Sequence, residues 1–307
     1  MTDASEFVHR PVLVREVLEV LAPHAGERWL DLTVGAGGHA SALLDAVDDQ
    51  SELAGIDRDE EILGHARSRL AGRPATLVHG FFGDVGGISR ALEEAGAPLP
   101  PFDAVLADIG VSSLQLDDAA RGFSFRSDGP LDMRMDHREV TDAREYVNAT
   151  SVDELTRVIK EYGEERFAGR VASAIDRARR SKPIETTGEL ADIVRGALPR
   201  GKPQDKDPST RTFQAIRIAI NRELDALDHL LSRFGSLLAP GGRFAVISFH
   251  SLEDRRVKQA FRTRASEGDY ELLTKGTVTA SADEVAENPR ARSARLRAIR
   301  RKREGER

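Results

Sequence analysis

Short apolar runs recur along the first 110 residues, and each is followed by a stretch with helical spacing. Trp29-Leu30-Asp31-Leu32, Leu53-Ala54-Gly55-Ile56-Asp57, Ala75 to Gly80 and Phe102 to Asp108 are each long enough for a buried strand. Ahead of them Val14, Val17, Leu18 and Leu21 fall at i, i+3, i+4 and i+7, a helix stripe for which Pro11 suits the first turn. Leu63, Ala66 and Leu70 repeat that spacing after the second run. Strands alternating with helices predict an α/β fold with a parallel, doubly wound sheet.

The pattern changes after residue 111. Residues 112 to about 205 hold no convincing strand, and helical segments are predicted near 151–162, 164–180 and 186–198. They close at a Pro/Gly/Lys-rich linker, Pro199 to Pro208. The expected organisation is a sheet domain made of 1–111 and 209–307, interrupted by a mostly helical subdomain over 112–208. From Ser209 a long helix is predicted to about Leu238, with Phe213, Ile216, Ile220, Leu224, Leu227 and Leu231 on one face. Thr210, Gln214, Arg217 and Asn221 form a second, polar stripe, which suits either a solvated face or contacts to phosphates and base edges. Arg243 to Ser251 reads as a buried strand ending in His250, followed by a helix from Leu252 to Arg264 and a candidate strand at Tyr270 to Leu273.

Composition narrows the chemistry. With 40% hydrophobic and 31% charged residues the chain has a real core, and without cysteine it has no disulfide, thiolate metal site or cysteine nucleophile. No signal core or membrane-length apolar stretch is visible, so a cytoplasmic location with no membrane partner is expected. A net charge of −6 argues against indiscriminate coating of nucleic acid but allows a local basic face. Arg290 to Arg307 carries nine Lys/Arg against two Glu, which reads first as a solvated, partly disordered tail.

The first strand runs into Asp31-Leu32-Thr33-Val34-Gly35-Ala36-Gly37-Gly38 and then a helix, the opening unit of a nucleotide-binding α/β domain. The spacing is not that of the dinucleotide fingerprint. A carboxylate at Asp31 would repel a pyrophosphate but suits an amino group and a sulfonium, which favours S-adenosylmethionine over NAD. Asp57, about twenty residues beyond the glycines, fits both an acceptor for ribose hydroxyls and a helix N-cap, and its pairing with the glycine loop favours the first. Phe82, after the third strand, suits stacking on an adenine or a place in the core. Asp108 falls at the carboxyl end of the fourth strand, where open α/β sheets bind ligands, and His250 is expected at the same edge.

These stretches resemble, nearly end to end, the MraW/RsmH family, which methylates cytosine N4 in 16S ribosomal RNA. The resemblance is carried by His9-Arg10-Pro11-Val12-Leu13, Gly35-Ala36-Gly37-Gly38-His39, Gly55-Ile56-Asp57-Arg58-Asp59 and Asp108-Ile109-Gly110-Val111-Ser112-Ser113. It continues through Arg121-Gly122-Phe123-Ser124-Phe125, Gly129 to Met135, Tyr162 to Phe167, Arg211 to Ala215, Ser248 to Arg255 and Glu287 to Ser293. Leu114 and Gly276 stand where the family often has proline. The resemblance implies a Rossmann-like S-adenosylmethionine-dependent methyltransferase with cofactor contacts at Gly37, Gly38, His39, Asp57, Phe82, Asp108 and Gln115. No partner ligands are spaced for a metal at His39, so none is expected, and the resemblance implies a partner in 16S rRNA within the small ribosomal subunit.

Many amino methyltransferases hold the target amine with an Asp/Asn-Pro-Pro-aromatic motif after the fourth strand. Here Asp108-Ile109-Gly110-Val111 stands there instead. Asp108 is expected to hold the amine, with His250 orienting it or taking its proton. RNA contacts are expected from the inserted region, the Thr210–Asn221 stripe and the basic tail. The rival readings are an amino methyltransferase acting on another nucleic acid or a small molecule, and a non-catalytic RNA-binding assembly factor.

Overall fold

A computed structural model describes residues 11–199 and 207–306. His9, Arg10 and most of the predicted 199–208 linker lie outside them. Seven strands, β1 (Arg28–Asp31), β2 (Glu52–Asp57), β3 (Ala75–His79), β4 (Phe102–Asp108), β5 (Leu238–Ser248), β6 (Tyr270–Leu272) and β7 (Arg295–Arg301), form one sheet in the order β3-β2-β1-β4-β5-β7-β6. The first five are parallel, and β7 runs antiparallel to both of its neighbours.

Helices α1 (Val14–Leu21), α2 (Gly38–Asp45) and α3 (Glu60–Arg69) cover one sheet face, where Val17, Leu43 and Leu63 pack with Trp29, Leu53 and Leu106. The opposite face packs α4 (Val85–Glu94), which the sequence reading did not single out, through Ile88 and Leu92 against Val105 and Phe244. Helix α1 starts at Val14 rather than at Pro11, because Leu13 sits in the left-handed region (φ 55°).

The chain divides into two compact units: one runs to Gly110 and resumes at Leu224, and the other is the intervening Val111–Glu223. That second unit holds α5 (Ser113–Asp117), α6 (Ala143–Ala149), α7 (Val152–Glu161), α8 (Ala168–Ser181), α9 (Thr187–Ala197) and α10 (Ser209–Asn221). Its own core gathers Phe123, Met133, Val158, Ile175, Leu190 and Phe213.

The expected return to the sheet domain at Ser209 is therefore misplaced, and so is the single helix from Ser209 to Leu238. Arg222 adopts a left-handed conformation (φ 50°) and ends α10, after which α11 (Glu223–Arg233) begins anew. The apolar stripe is shared between two cores: Phe213 and Ile216 belong to the helical unit, Leu227 and Leu231 to the sheet. Continuous spacing concealed the break because each half is amphipathic in the same phase.

The basic tail is also corrected. Arg295–Arg301 is a strand inside the sheet, paired through Leu296↔Ile247, Ala298↔Ala245 and Ile299↔Phe244. Leu296 and Ala298 enter one core and Ile299 the other, while Arg297 pairs with Asp254 of α12 (Ser251–Ser266) at 2.7 Å. The short helix α13 (Ala282–Glu287) precedes this strand. Among the described residues no helix is long and apolar enough to cross a membrane.

Candidate functional site

Parallel strands all end at one edge of the sheet, so β1, β2 and β4 bring Asp31, Asp57 and Asp108 there together. Local chemistry sets the loops between them. Leu32 and Val34 leave β1 still bonded to the neighbouring strands, through Leu106 O (2.8 Å) and Ile56 O (2.9 Å). Gly35 and Gly37 then take positive φ, a conformation natural to glycine, and the chain enters α2 at Gly38. A Cβ on Gly38 would stand 2.9 Å from Pro11 Cγ, so the helix start packs too closely for any side chain.

Asp57 accepts the Gly35 N–H at Oδ2 (2.8 Å) and the Asp59 N–H at Oδ1 (2.9 Å). It is not the N-cap of α3. That place belongs to Asp59, whose carboxylate accepts from Glu61 and Ile62 N–H groups. Asp57 is thus an organiser of the glycine loop, and each oxygen keeps lone-pair capacity for a further donor.

Asp108 is the least satisfied of the three. Its backbone N–H donates to Thr33 Oγ1 at 2.6 Å, but the side-chain Oδ1 is buried with no hydrogen-bond partner. Its Oδ2 lies 3.7 Å from His39 Nδ1. The other ring nitrogen, Nε2, is 2.8 Å from the Val12 carbonyl, which can only accept. Nε2 therefore carries a proton and fixes the ring with Nδ1 turned to the carboxyl.

Electrostatics make this edge a poor place for bare anions. Burial raises the Asp31 carboxyl to about 7, against a hydrogen bond from the Thr33 N–H that works the other way. Burial likewise raises Asp57 to about 6. Asp108 is pushed well above the usual carboxylate range, by burial first and then by the nearby charges of Asp31 and Glu253. A group bearing positive charge relieves all three at once.

His250 is not a strand residue. Strand β5 stops at Ser248, and His250 is the N-cap of α12. Glu253, 2% exposed, folds back so that its Oε2 accepts the Phe249 N–H (2.9 Å) and the His250 N–H (3.2 Å). Its Oε1 is 3.1 Å from His250 Nε2, although neither buried ring nitrogen has a partner with hydrogen-bond alignment. Glu253 and Thr33 are the residues that sequence reasoning missed. The signal for Glu253 was present, since an acid three residues after a helix start is capping-box spacing.

Phe82 follows β3 and is partly buried against the core beside Val78. The neighbouring Phe81 takes the Arg58 guanidinium over its ring at 4.4 Å. Gln115 lies in the Val111–Glu223 unit, where its Oε1 accepts the Ser112 N–H (2.9 Å) in a capping box that starts α5.

The polar stripe proposed for RNA is largely structural. Asn221 is buried, donating to Met133 O (2.8 Å) and accepting from the Met135 N–H (2.9 Å). Arg217 forms a largely buried pair with Glu223 at 2.7 Å. Gln214 donates to Tyr162 O at 3.2 Å, and only Thr210 is exposed.

Residues 6–302 match the sequence profile of the MraW methylase family. The chain is similar to proteins named ribosomal RNA small subunit methyltransferase H in several bacteria. The one from Syntrophotalea carbinolica is 49% identical, over 96% of this chain and 98% of its own. That from Sorangium cellulosum is 50% identical over 95% and 90%, and that from Ehrlichia canis 44% identical over 95% and 99%.

Proposed function

The chain belongs to the MraW methylase family and is an S-adenosylmethionine-dependent methyltransferase, and from that premise we propose that it methylates the exocyclic N4 of a cytosine in small-subunit ribosomal RNA. The observation that carries the site assignment is Asp108, a buried carboxyl with an unpartnered oxygen at the carboxyl end of β4.

The residues at this edge fit the cofactor. Asp31 supplies negative charge where the sulfonium and amino groups need it, and Asp57 has acceptor capacity for ribose hydroxyls. Gly37 and Gly38 form the turn that faces the cofactor, His39 shapes the pocket beside Asp108, and Phe82 offers a ring to the adenine. When bound, S-adenosylmethionine supplies an activated methyl group for in-line displacement, so catalysis rests mainly on placement.

Cytosine N4 is a poor nucleophile because its lone pair is delocalised into the ring. Asp108 Oδ1 accepts a hydrogen bond from the amino group and so favours the pyramidal nitrogen of the transition state over the flat ground state. Transfer leaves a cationic nitrogen. Its N–H bond then breaks as a proton passes to Asp108, whose affinity for protons is raised by burial, Asp31 and Glu253. His250, held by Glu253, orients the base or passes that proton outward. A paired cytosine must first leave its stack, at about a few kcal/mol unless it is already unpaired.

The deciding experiment is transfer of labelled methyl to small subunits lacking the modification, with naked 16S RNA and duplex DNA alongside. Label at cytosine N4 of subunit RNA is the expected result. Binding of S-adenosylmethionine without any transfer would replace this reading with a binding factor, and transfer to DNA alone would replace the substrate. Asp108→Ala should abolish turnover, and near-normal single-turnover rates in that variant would sink its role.

A further inference from the structure

The segments Tyr162–Phe167 and Arg211–Ala215 lie together in the helical unit. A Cβ on Gly163 would meet the Arg211 carbonyl at 2.6 Å and the Ile159 carbonyl at 2.7 Å, so only glycine lets this turn lie against α10. Arg211 Nη1 donates to Glu164 O at 3.1 Å, and Glu164 is held in the left-handed region (φ 49°). The buried Glu165 carboxylate accepts the Phe167 N–H at 2.8 Å and lies 3.8 Å from Arg211. These bonds build a fixed turn at the head of α8.

That turn presents cations. Arg166 and Arg170 are exposed, and their guanidinium carbons lie 4.6 and 5.6 Å from the centre of the Phe167 ring. Neither has an ion pair among the described residues, whereas Arg157, Arg179 and Arg195 of the same unit are each matched with a carboxylate. Helix α8 has no acid in its first turn and no side-chain cap at Phe167. Two positive charges at the positive end of a helix repel both the helix dipole and each other. Stability alone would place acids there. Arg211, 57% exposed at its side chain, adds a third guanidinium to the turn.

We propose that Arg166, Arg170 and Arg211, steadied by the Phe167 ring, bind the phosphate backbone of the substrate RNA; the proposal rests on the rRNA reading above. Stacking on a ring holds a guanidinium plane while leaving its N–H edge to grip phosphate oxygens in pairs. Three arginines and no lysine suit that geometry better than a diffuse counter-charge.

The test uses the full chain with Arg166→Ala/Arg170→Ala, and Arg166→Lys/Arg170→Lys beside it. Binding of 16S RNA is followed across salt concentrations, together with cofactor affinity, Tm and the KM for small subunits. The alanine pair should weaken RNA binding about tenfold near physiological salt and flatten the log–log salt slope by about two, one per lost phosphate contact. The lysine pair should recover the slope. Cofactor affinity should not move, and Tm should hold or rise once the repulsion is gone.

An unchanged slope and affinity for naked RNA would overturn the proposal. So would a defect seen only on whole subunits, which would point to an acidic protein segment as the occupant. Failure of the wild-type chain to methylate subunits sinks the substrate reading instead, and the patch is then judged by the slope alone. If wild type binds no RNA, both fall.

Discussion

The backbone N–H of Asp108 donates to the Thr33 hydroxyl at 2.6 Å and so ties the exit of β4 to the exit of β1. The bond fixes where the Asp108 carboxyl begins. Thr33→Val keeps the shape and removes the acceptor, leaving a part-buried N–H unpaired at a cost of about 1–3 kcal/mol. Tm should fall accordingly. If Thr33 positions Asp108, methyl transfer should drop further than cofactor affinity does, and equal losses in the two would contradict that role.

The raised carboxyls at the sheet edge predict a pH dependence. In the unfolded chain an aspartate titrates near 4, whereas burial raises Asp31 to about 7 and Asp57 to about 6. Between those values the folded protein holds protons that the unfolded chain has released. Stability of the cofactor-free protein therefore declines as pH rises from about 4 to about 7, and this contribution levels off above that. A cationic ligand prefers the ionised carboxylates, so S-adenosylmethionine should bind more tightly at pH 8 than at pH 5.5. Titration calorimetry at the two values checks this, with Asp31→Asn expected to flatten the trend. Equal affinities in wild type would refute it.

Glu253 holds two backbone N–H groups and stands beside His250. Glu253→Gln retains an acceptor for those N–H groups, and Glu253→Ala retains none. The alanine variant should lose about 1–3 kcal/mol of stability for each stranded donor, visible as a lowered denaturation midpoint. The glutamine variant should fold normally. It should also shift the pH–rate profile to lower pH, because one negative charge near Asp108 is gone. A profile identical to wild type would mean that Glu253 is only a structural cap.

Asn221 joins α10 to the Met133–Met135 segment. Asn221→Ala leaves a buried carbonyl and N–H unpaired and should cost about 2–5 kcal/mol, near the upper range for a single substitution. RNA affinity of the folded fraction should match wild type. Weakened RNA binding at unchanged Tm would restore the nucleic-acid role once expected of this stripe.

Strands that end near a carboxylate were legible because period and punctuation agree there: Asp57 and Asp108 stand at the ends of apolar runs, and Asp31 one residue before the end of another. The helices of the inserted unit were legible for a similar reason, as their amphipathic spacing is undisturbed. Arg295–Arg301 was hidden because its Leu296, Ala298 and Ile299 are embedded among arginines whose charge masks the alternation. Arg297 pairs with Asp254 and Arg300 with Glu271, partners far away in sequence that let an arginine-rich strand sit in a sheet interior. The break at Arg222 was hidden because a left-handed residue other than glycine leaves no compositional mark. The polar stripe misled because Gln214, Arg217 and Asn221 find partners in segments that helical spacing does not reveal.

The place of β7 between β5 and β6 sets an order in time. Among the described residues the core of the helical unit draws only on 111–220, all of which exist before Leu224 is synthesised. The sheet must wait for Leu238–Ser248 to meet β4, and again for Arg295–Arg301 to meet β5. Until then β1 to β4 have a bare edge at Phe102–Asp108, which is aggregation-prone in a nascent chain. The slow, non-local closure of the sheet thus waits until Arg295–Arg301 has been made, and truncation ahead of Arg295 should yield a chain whose inserted unit is formed while its cofactor edge is not.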